Sequence, residues 1–172
     1  MNNTINDIMN RRSIRKYKPE QITREELDII LQAGICAPTG KNRQSPILIA
    51  VQNKEVRDLL SLMNAQVLGM DVDPFYGAPT VVVVLAKADS PHAVQDGSLV
   101  LGNMMTAAKA IGLGSCWINR AREVFDSAEG KQLLARWGVE GDYIGVGNCI
   151  LGYPDEEPVM KPRKPDYIRY ID

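Results

Sequence analysis

Residues 80–86, Thr-Val-Val-Val-Val-Leu-Ala, form a continuous apolar run in which most side chains are β-branched. Such side chains are stiff at χ1 and suit a pleated strand, and a strand without polar alternation has no face to give to water. The run predicts a central strand covered on both sides, and that requires layers of other elements above and below it. The chain can supply them: 172 residues with 45% apolar side chains make one domain, residues 1–172, burying roughly 70% of its unfolded surface.

Local patterns give the other elements. Residues 4–10 read as a short helix with Ile5, Ile8 and Met9 turned inward. Thr23-Arg24-Glu25-Glu26 is a capping box, with Ile22 and Leu27 placed for the hydrophobic staple around it. The helix it opens has Leu27, Ile30 and Leu31 on its apolar face and Gly34 as its stop. Residues 47–51 read as a strand, and 54–64 as an amphipathic helix with Val56, Leu59, Leu60 and Met63 at helical spacing. A flexible segment follows as far as Pro79. Residues 93–111 form a long helix, apolar over most of its circumference. Residues 115–119 are a short strand, 127–137 a helix closed by Gly138, and 143–151 a strand. The tail beyond Gly152 carries Pro154, Pro158, Pro162 and Pro165, so it runs extended over a surface, a partner's included. The irregular alternation of helices and strands predicts an α+β sandwich around one mixed sheet.

Charge narrows the function. Arg11, Arg12, Arg15, Lys16 and Lys18 crowd one short stretch around Ser13, and Lys161-Pro162-Arg163-Lys164 stands near the other end. Arginine grips phosphate or carboxylate through two parallel bonds, so two such clusters meeting on one anion make a phosphate site, while each alone reads equally well as a solvated charge run. The net charge is −1, which argues against nucleic acid or an anionic membrane as main partner. Cys36, Cys116 and Cys149 are widely spaced, and His92 is the single histidine. Neither a disulfide framework nor a metal site is supported, and no serine or cysteine sits in a nucleophile motif. The cysteine usage points to a reduced cytoplasm, and the polar N-terminus and lack of an apolar run of spanning length show no sign of a signal peptide. The turns at Gly112–Gly114 and Gly145–Gly147 fail the dinucleotide fingerprint at its third glycine and read as a helix stop and close-packing positions. An anion site without acid–base machinery suits a protein whose bound cofactor performs the reaction.

Four motifs then carry a resemblance. Arg11-Arg12-Ser13-Ile14-Arg15 stands near the start, and Ala37-Pro38-Thr39-Gly40-Lys41-Asn42-Arg43-Gln44-Ser45-Pro46 about two dozen residues later. Ala110-Ile111-Gly112-Leu113-Gly114-Ser115-Cys116-Trp117-Ile118 follows, and Gly152-Tyr153-Pro154 with Lys161-Pro162-Arg163 closes the series. In this order and spacing the chain resembles the FMN-dependent nitroreductase family over nearly its whole length.

The resemblance implies an α+β, three-layer α-β-α sandwich with a mixed, mainly antiparallel sheet, assembled as a domain-exchanged homodimer with FMN at the subunit interface. It implies Arg11, Arg12 and Ser13 on the phosphate and ribityl chain, with Lys161 and Arg163 closing on the phosphate. Arg15 takes the position of a cation near the flavin N1 and O2 edge. Pro38, Thr39, Gly40, Asn42 and Gln44 match a loop serving the other subunit's flavin. Cys116, Trp117, Ile118 and Asn119 match the segment along the isoalloxazine, whose backbone can donate to N5. No protein residue is catalytic in this scheme; Arg15 tunes the flavin. NADH or NADPH donates hydride, and nitroaromatic, quinone or similar electron-poor molecules accept electrons by ping-pong exchange. A specialised branch (dehalogenase or enoate-type) and an FMN-binding protein without turnover are the alternatives. The chain departs from the family pattern in its short connection between the valine-rich strand and the long helix, in Asn119 where an acidic residue is frequent, and in the bulk of Trp117.

Overall fold

The structure, a computed structural model, describes residues 2–171. The valine-rich run is β2 (Thr80–Lys87), and every residue from Thr80 to Ala86 is fully buried. It lies between β1 (Pro46–Val51) and β4 (Tyr143–Gly152), and β3 (Gly114–Ile118) completes the sheet in the order β1-β2-β4-β3. All three pairings are antiparallel, and a lone parallel bridge between Ser13 and Ser115 is the only mixed element among the described residues.

Alternation along β2 builds two cores. Val81, Val83 and Leu85 pack with Leu60 and Met63 of α3 (Lys54–Leu68), Phe125 of α5 (Ala121–Asp126) and Leu133 and Leu134 of α6 (Ala128–Arg136). Val82 and Val84 pack with Leu27 and Ile30 of α2 (Arg24–Ile35) and Leu101 and Met104 of α4 (Ala93–Ala110). The result is the three-layer α-β-α sandwich, with the sheet in the middle. The capping box of α2 is formed by Thr23 and Glu26, and Ile22 and Leu27 are both buried beside it. The strand glycines serve packing: a Cβ on Gly145 would sit 2.2 Å from the Ala121 carbonyl oxygen, and one on Gly147 2.9 Å from the Trp117 ring.

Several sequence expectations change. Helix α1 (Asn3–Asn10) forms, yet Ile5, Ile8 and Met9 are exposed, because α1 lies on the outside of α4 and, among the described residues, no helix or strand covers it. Gly34 does not end α2; it lies inside the helix because Met104 packs where its side chain would be, and the helix runs on to Ile35. Helix α4 buries one face, Val100, Leu101, Met104 and Ala108, while Leu99 and Val94 face outward. A separate short helix, α5, precedes α6, with Ser127 capping the second of the two.

The segment before Pro79 is anchored instead of free. Asp73 accepts from Arg57 at 2.7 Å, Ser61 at 2.5 Å and the Phe75 and Gly77 N–H groups at 2.9 and 2.7 Å. Burial by itself raises the Asp73 carboxyl, but the bonds from Arg57, Ser61 and the two backbone groups outweigh it and leave it below its ordinary value. Asp73→Ala should therefore lose about 2–3 kcal/mol of stability, most of it from stripping the buried Arg57 of a charged partner. A folded-state pKa below the unfolded one stabilises above the unfolded value and ceases to do so as pH falls through the folded value. The gap between wild type and variant in urea denaturation should therefore be full at neutral pH and narrow as pH falls below the ordinary value of 3.8. A gap that stayed unchanged as pH fell well below that value would contradict the charge-based account.

Candidate functional site

The arginine-rich segment is fixed by main-chain bonds on both sides. Arg11 caps α1, donating its N–H to the Asp7 carbonyl at 2.8 Å. Ile14 donates to the Ser115 carbonyl at 3.0 Å, Lys18 to Tyr153 at 2.9 Å, and Asp155 back to Lys16 at 2.9 Å. Residues 13–18 are thereby held between β3 and the start of the tail. The Tyr17 hydroxyl donates to the Ile14 carbonyl at 2.8 Å, and burial raises its pKa, so the phenol stays a neutral donor.

This arrangement leaves a cleft of about 750 Å³ between α1, the C-terminal end of α4 and the first part of the tail. Arg11, Arg12, Lys109 and Ser115 line it, together with Glu156 and Glu157. Arg11 brings a buried guanidinium nitrogen, Nη1, that meets no acceptor among the described residues. A buried donor of that kind is expensive unless something accepts from it, and an anion entering the cleft would. Arg12 is partly engaged: its Nη1 donates to the carbonyls of Met9 at 2.9 Å and Arg11 at 2.7 Å, closing the end of α1. Ser13 is half-buried beside Ser115. Glu156 is drawn to the backbone, where it accepts from the Arg15 N–H.

The other residues that the resemblance assigns to flavin fall into four separate places. Arg15 is exposed, with its guanidinium 5.9 Å from the centre of the Tyr76 ring. The loop of Pro38, Thr39, Gly40, Asn42 and Gln44 stands at the opposite end of α4 from Arg11. Gly40 donates its N–H to Asp96 in the first turn of that helix at 2.9 Å, and Lys109 of the arginine cleft lies in its last turn. A rise of 1.5 Å per residue separates Asp96 from Lys109 by about 20 Å. The loop is strained: Lys41, Asn42 and Gln44 have φ of 54°, 52° and 50°. Thr39 accepts from the Gln44 N–H at 3.0 Å, and Gln44 donates to Asn42 at 3.2 Å. Residues held in such conformations gather at ligand clamps.

On β3 the side chains alternate between the two cores. Cys116 and Ile118 are buried with Phe75 and Phe125, while Trp117 packs on Gly147 in the other core with its Nε1 unpartnered. What this strand offers a ligand is therefore its backbone, and Asn119 beyond it is exposed. Burial pushes the Cys149 thiol up to about 12, so it is inert as a nucleophile at neutral pH. Lys161 and Arg163 are exposed on the extended tail and do not reach the cleft within this chain.

Sequence reasoning missed Lys109, Ser115 and Asp96. Asp96, a carboxylate within an apolar helix, carried a visible signal. The others carried none, because only the folding of α4 and β3 brings them to the site. Among the described residues no helix is long and apolar enough to cross a membrane.

The chain matches the model of the nitroreductase family over residues 8–69 and 66–153. It is 30% identical to an NADPH-flavin oxidoreductase of Vibrio harveyi over 98% of this chain and 72% of that protein. An FMN reductase [NAD(P)H] of Bacillus subtilis is 26% identical over 96% of this chain and 71% of its own length. A nitroreductase with bound FMN from Bacteroides fragilis superposes with a TM-score of 0.90 at 28% identity, covering 100% of both chains.

Proposed function

The chain belongs to the nitroreductase family, and from that membership we propose an FMN-dependent oxidoreductase that takes hydride from NADH or NADPH and reduces electron-poor substrates. Nitroaromatics and quinones are the substrate class, and donor and acceptor would take turns at the same site. The observation that carries this reading is the buried, unpartnered Arg11 nitrogen in a cleft lined by Arg12, Lys109 and Ser115. The donors fit FMN, whose phosphate bears close to two negative charges and whose oxygens each accept from Arg, Lys or Ser.

FMN, when bound, supplies the hydride and electron chemistry that no side chain here can perform. The chain's own residues hold and tune it. Arg11 anchors the phosphate, with Ser13 as a further donor; Lys161 and Arg163 stand outside the cleft in the single chain and would join them only from a tail drawn onto it. Arg15 presents a fixed charge to the edge where negative charge gathers on reduction. Backbone groups at the end of β3 meet the ring.

The functional unit is a homodimer of single-domain subunits. The loop of Pro38, Thr39, Gly40, Asn42 and Gln44 is too far from Arg11 to serve the same flavin within one subunit, and it serves the partner's. The uncovered apolar residues of α1 and α4 and the extended tail support the same assembly.

The purified protein should be yellow, and denaturation should release FMN. Anaerobic addition of NADH or NADPH should bleach the yellow colour, and a nitroaromatic or quinone should restore it. A colourless protein that also fails to take up added FMN would defeat the proposal.

A further inference from the structure

Beyond the end of β3, Arg120 has φ 73° and ψ 9°, a left-handed conformation that residues other than glycine rarely adopt. Its surroundings over-determine that geometry. The Arg120 Nε donates to Asn64 Oδ1 at 2.9 Å, and Asn64 Nδ2 donates in turn to the Asn119 carbonyl at 2.8 Å. Asn64 is only 1% exposed, on the inner face of α3. A second buried amide, Asn148 on β4, donates to the Ile118 carbonyl at 3.3 Å and to the same Asn119 carbonyl at 3.4 Å.

The consequence follows from peptide planarity. The Asn119 carbonyl and the Arg120 N–H belong to one trans peptide and point in opposite directions. Two buried amides draw the carbonyl toward α3 and β4, so the N–H is aimed away from them, on the side where Asn119 is exposed. Among the described residues that N–H has no acceptor. A strained residue, a fixed peptide plane and a free donor coincide at the end of the strand assigned to the flavin ring.

We propose that Asn64 and Arg120 are positioning residues: as a side-chain pair they lock the Asn119–Arg120 peptide so that the Arg120 N–H faces the N5 edge of the flavin. This rests on the FMN reading above and adds which donor meets the ring and what holds it. N5 accepts a hydrogen bond in oxidised flavin but carries its own hydrogen after two-electron reduction. A rigid N–H at that edge thus favours the oxidised form, and freeing the peptide weakens oxidised binding more than reduced binding.

The test uses the full-length protein with Asn64→Leu, Arg120→Ala and Arg120→Lys. Apoprotein is titrated with oxidised FMN, and the bound flavin's midpoint potential is measured. Asn64→Leu and Arg120→Ala should each bind oxidised FMN about tenfold more weakly, a typical loss for one hydrogen bond. With reduced binding little changed, the two-electron midpoint should rise by about 30 mV, the equivalent of tenfold. Arg120→Lys retains a donor for Asn64 and should stay near wild type. Arg120 is only half-buried, so Arg120→Ala remains an informative variant even if Asn64→Leu does not fold. An Arg120→Ala protein that folds and binds FMN with unchanged affinity and potential overturns the positioning role. A wild-type protein that binds no FMN overturns instead the cofactor reading on which it rests.

Discussion

Arg11→Ala should empty the flavin site while leaving the redox properties of whatever flavin remains nearly unchanged. The phosphate keeps its charge when the ring is reduced, so its anchor acts equally on both redox states. Losing a charge-assisted bond of about 1.5–3 kcal/mol corresponds to roughly 10–150-fold weaker binding. The upper part of that range is expected, because the Arg11 nitrogen is already desolvated and unpartnered in the folded chain. Arg11→Lys should recover little, since an ammonium cannot reproduce the two-pronged grip.

Arg15 makes the informative contrast. Its guanidinium lies over Tyr76 instead of in the cleft, and its assigned partner gains charge only on reduction. Arg15→Ala should bind oxidised FMN almost normally but shift the midpoint potential downward and slow hydride uptake. A cation 4 Å from the ring edge contributes at most ~4 kcal/mol at an effective dielectric of about 20, and solvent around an exposed arginine reduces it further. Potentiometric titration of both variants decides between the roles. A shift with Arg11→Ala and none with Arg15→Ala would reverse the assignment.

A charge placed on the outer face of α1 should dissociate the protein and, with it, the flavin. Ile8 and Met9 are 54% and 55% exposed in the single chain, and Ile5, Ile35 and Leu99 are similarly open. Apolar exposure on this scale marks an interaction surface, and a stable interface needs upward of about 1,000 Å² of buried area. Ile8→Glu with Met9→Glu should sediment as a monomer with little bound FMN. A flavin-loaded monomer, of the wild type or of this variant, would refute the shared site. Mixing two separately impaired homodimers tests the sharing directly. Arg11→Ala and Asn42→Ala damage contributions that come from different subunits, so random re-pairing should leave about a quarter of the sites intact by the two-fold symmetry of a homodimer. No regain of activity after verified subunit exchange would mean that both residues serve one subunit's flavin, or that Asn42 serves none.

The valine-rich run and the capping box of α2 were legible in the sequence because each is decided locally. A β-branched run without alternation needs cover on both faces wherever it lies. A Thr with a Glu three residues on satisfies free N–H groups whatever packs nearby. The motif order from Arg11 to Arg163 likewise sufficed to indicate the family and its cofactor. What only the tertiary structure decided was direction and distance. Helical spacing marked Ile5, Ile8 and Met9 as one face, but whether that face meets this chain or another depends on where α1 lands on α4. The stretch before Pro79, with its glycines, proline and aspartates, reads as a flexible segment, and its anchoring depends on Arg57 and Ser61 of α3 arriving beside Asp73. The resemblance assigns the loop at Thr39 to the other subunit's flavin, but the sequence does not say how far that loop stands from the cluster at Arg11. The length of α4 sets them apart, since a rigid rod fixes the separation of its two ends regardless of what the residues there could bind. The left-handed turn at Arg120 had no local signal at all, because the amides that hold it come from α3 and β4, and a conformation imposed by distant partners leaves no mark on its own stretch of chain.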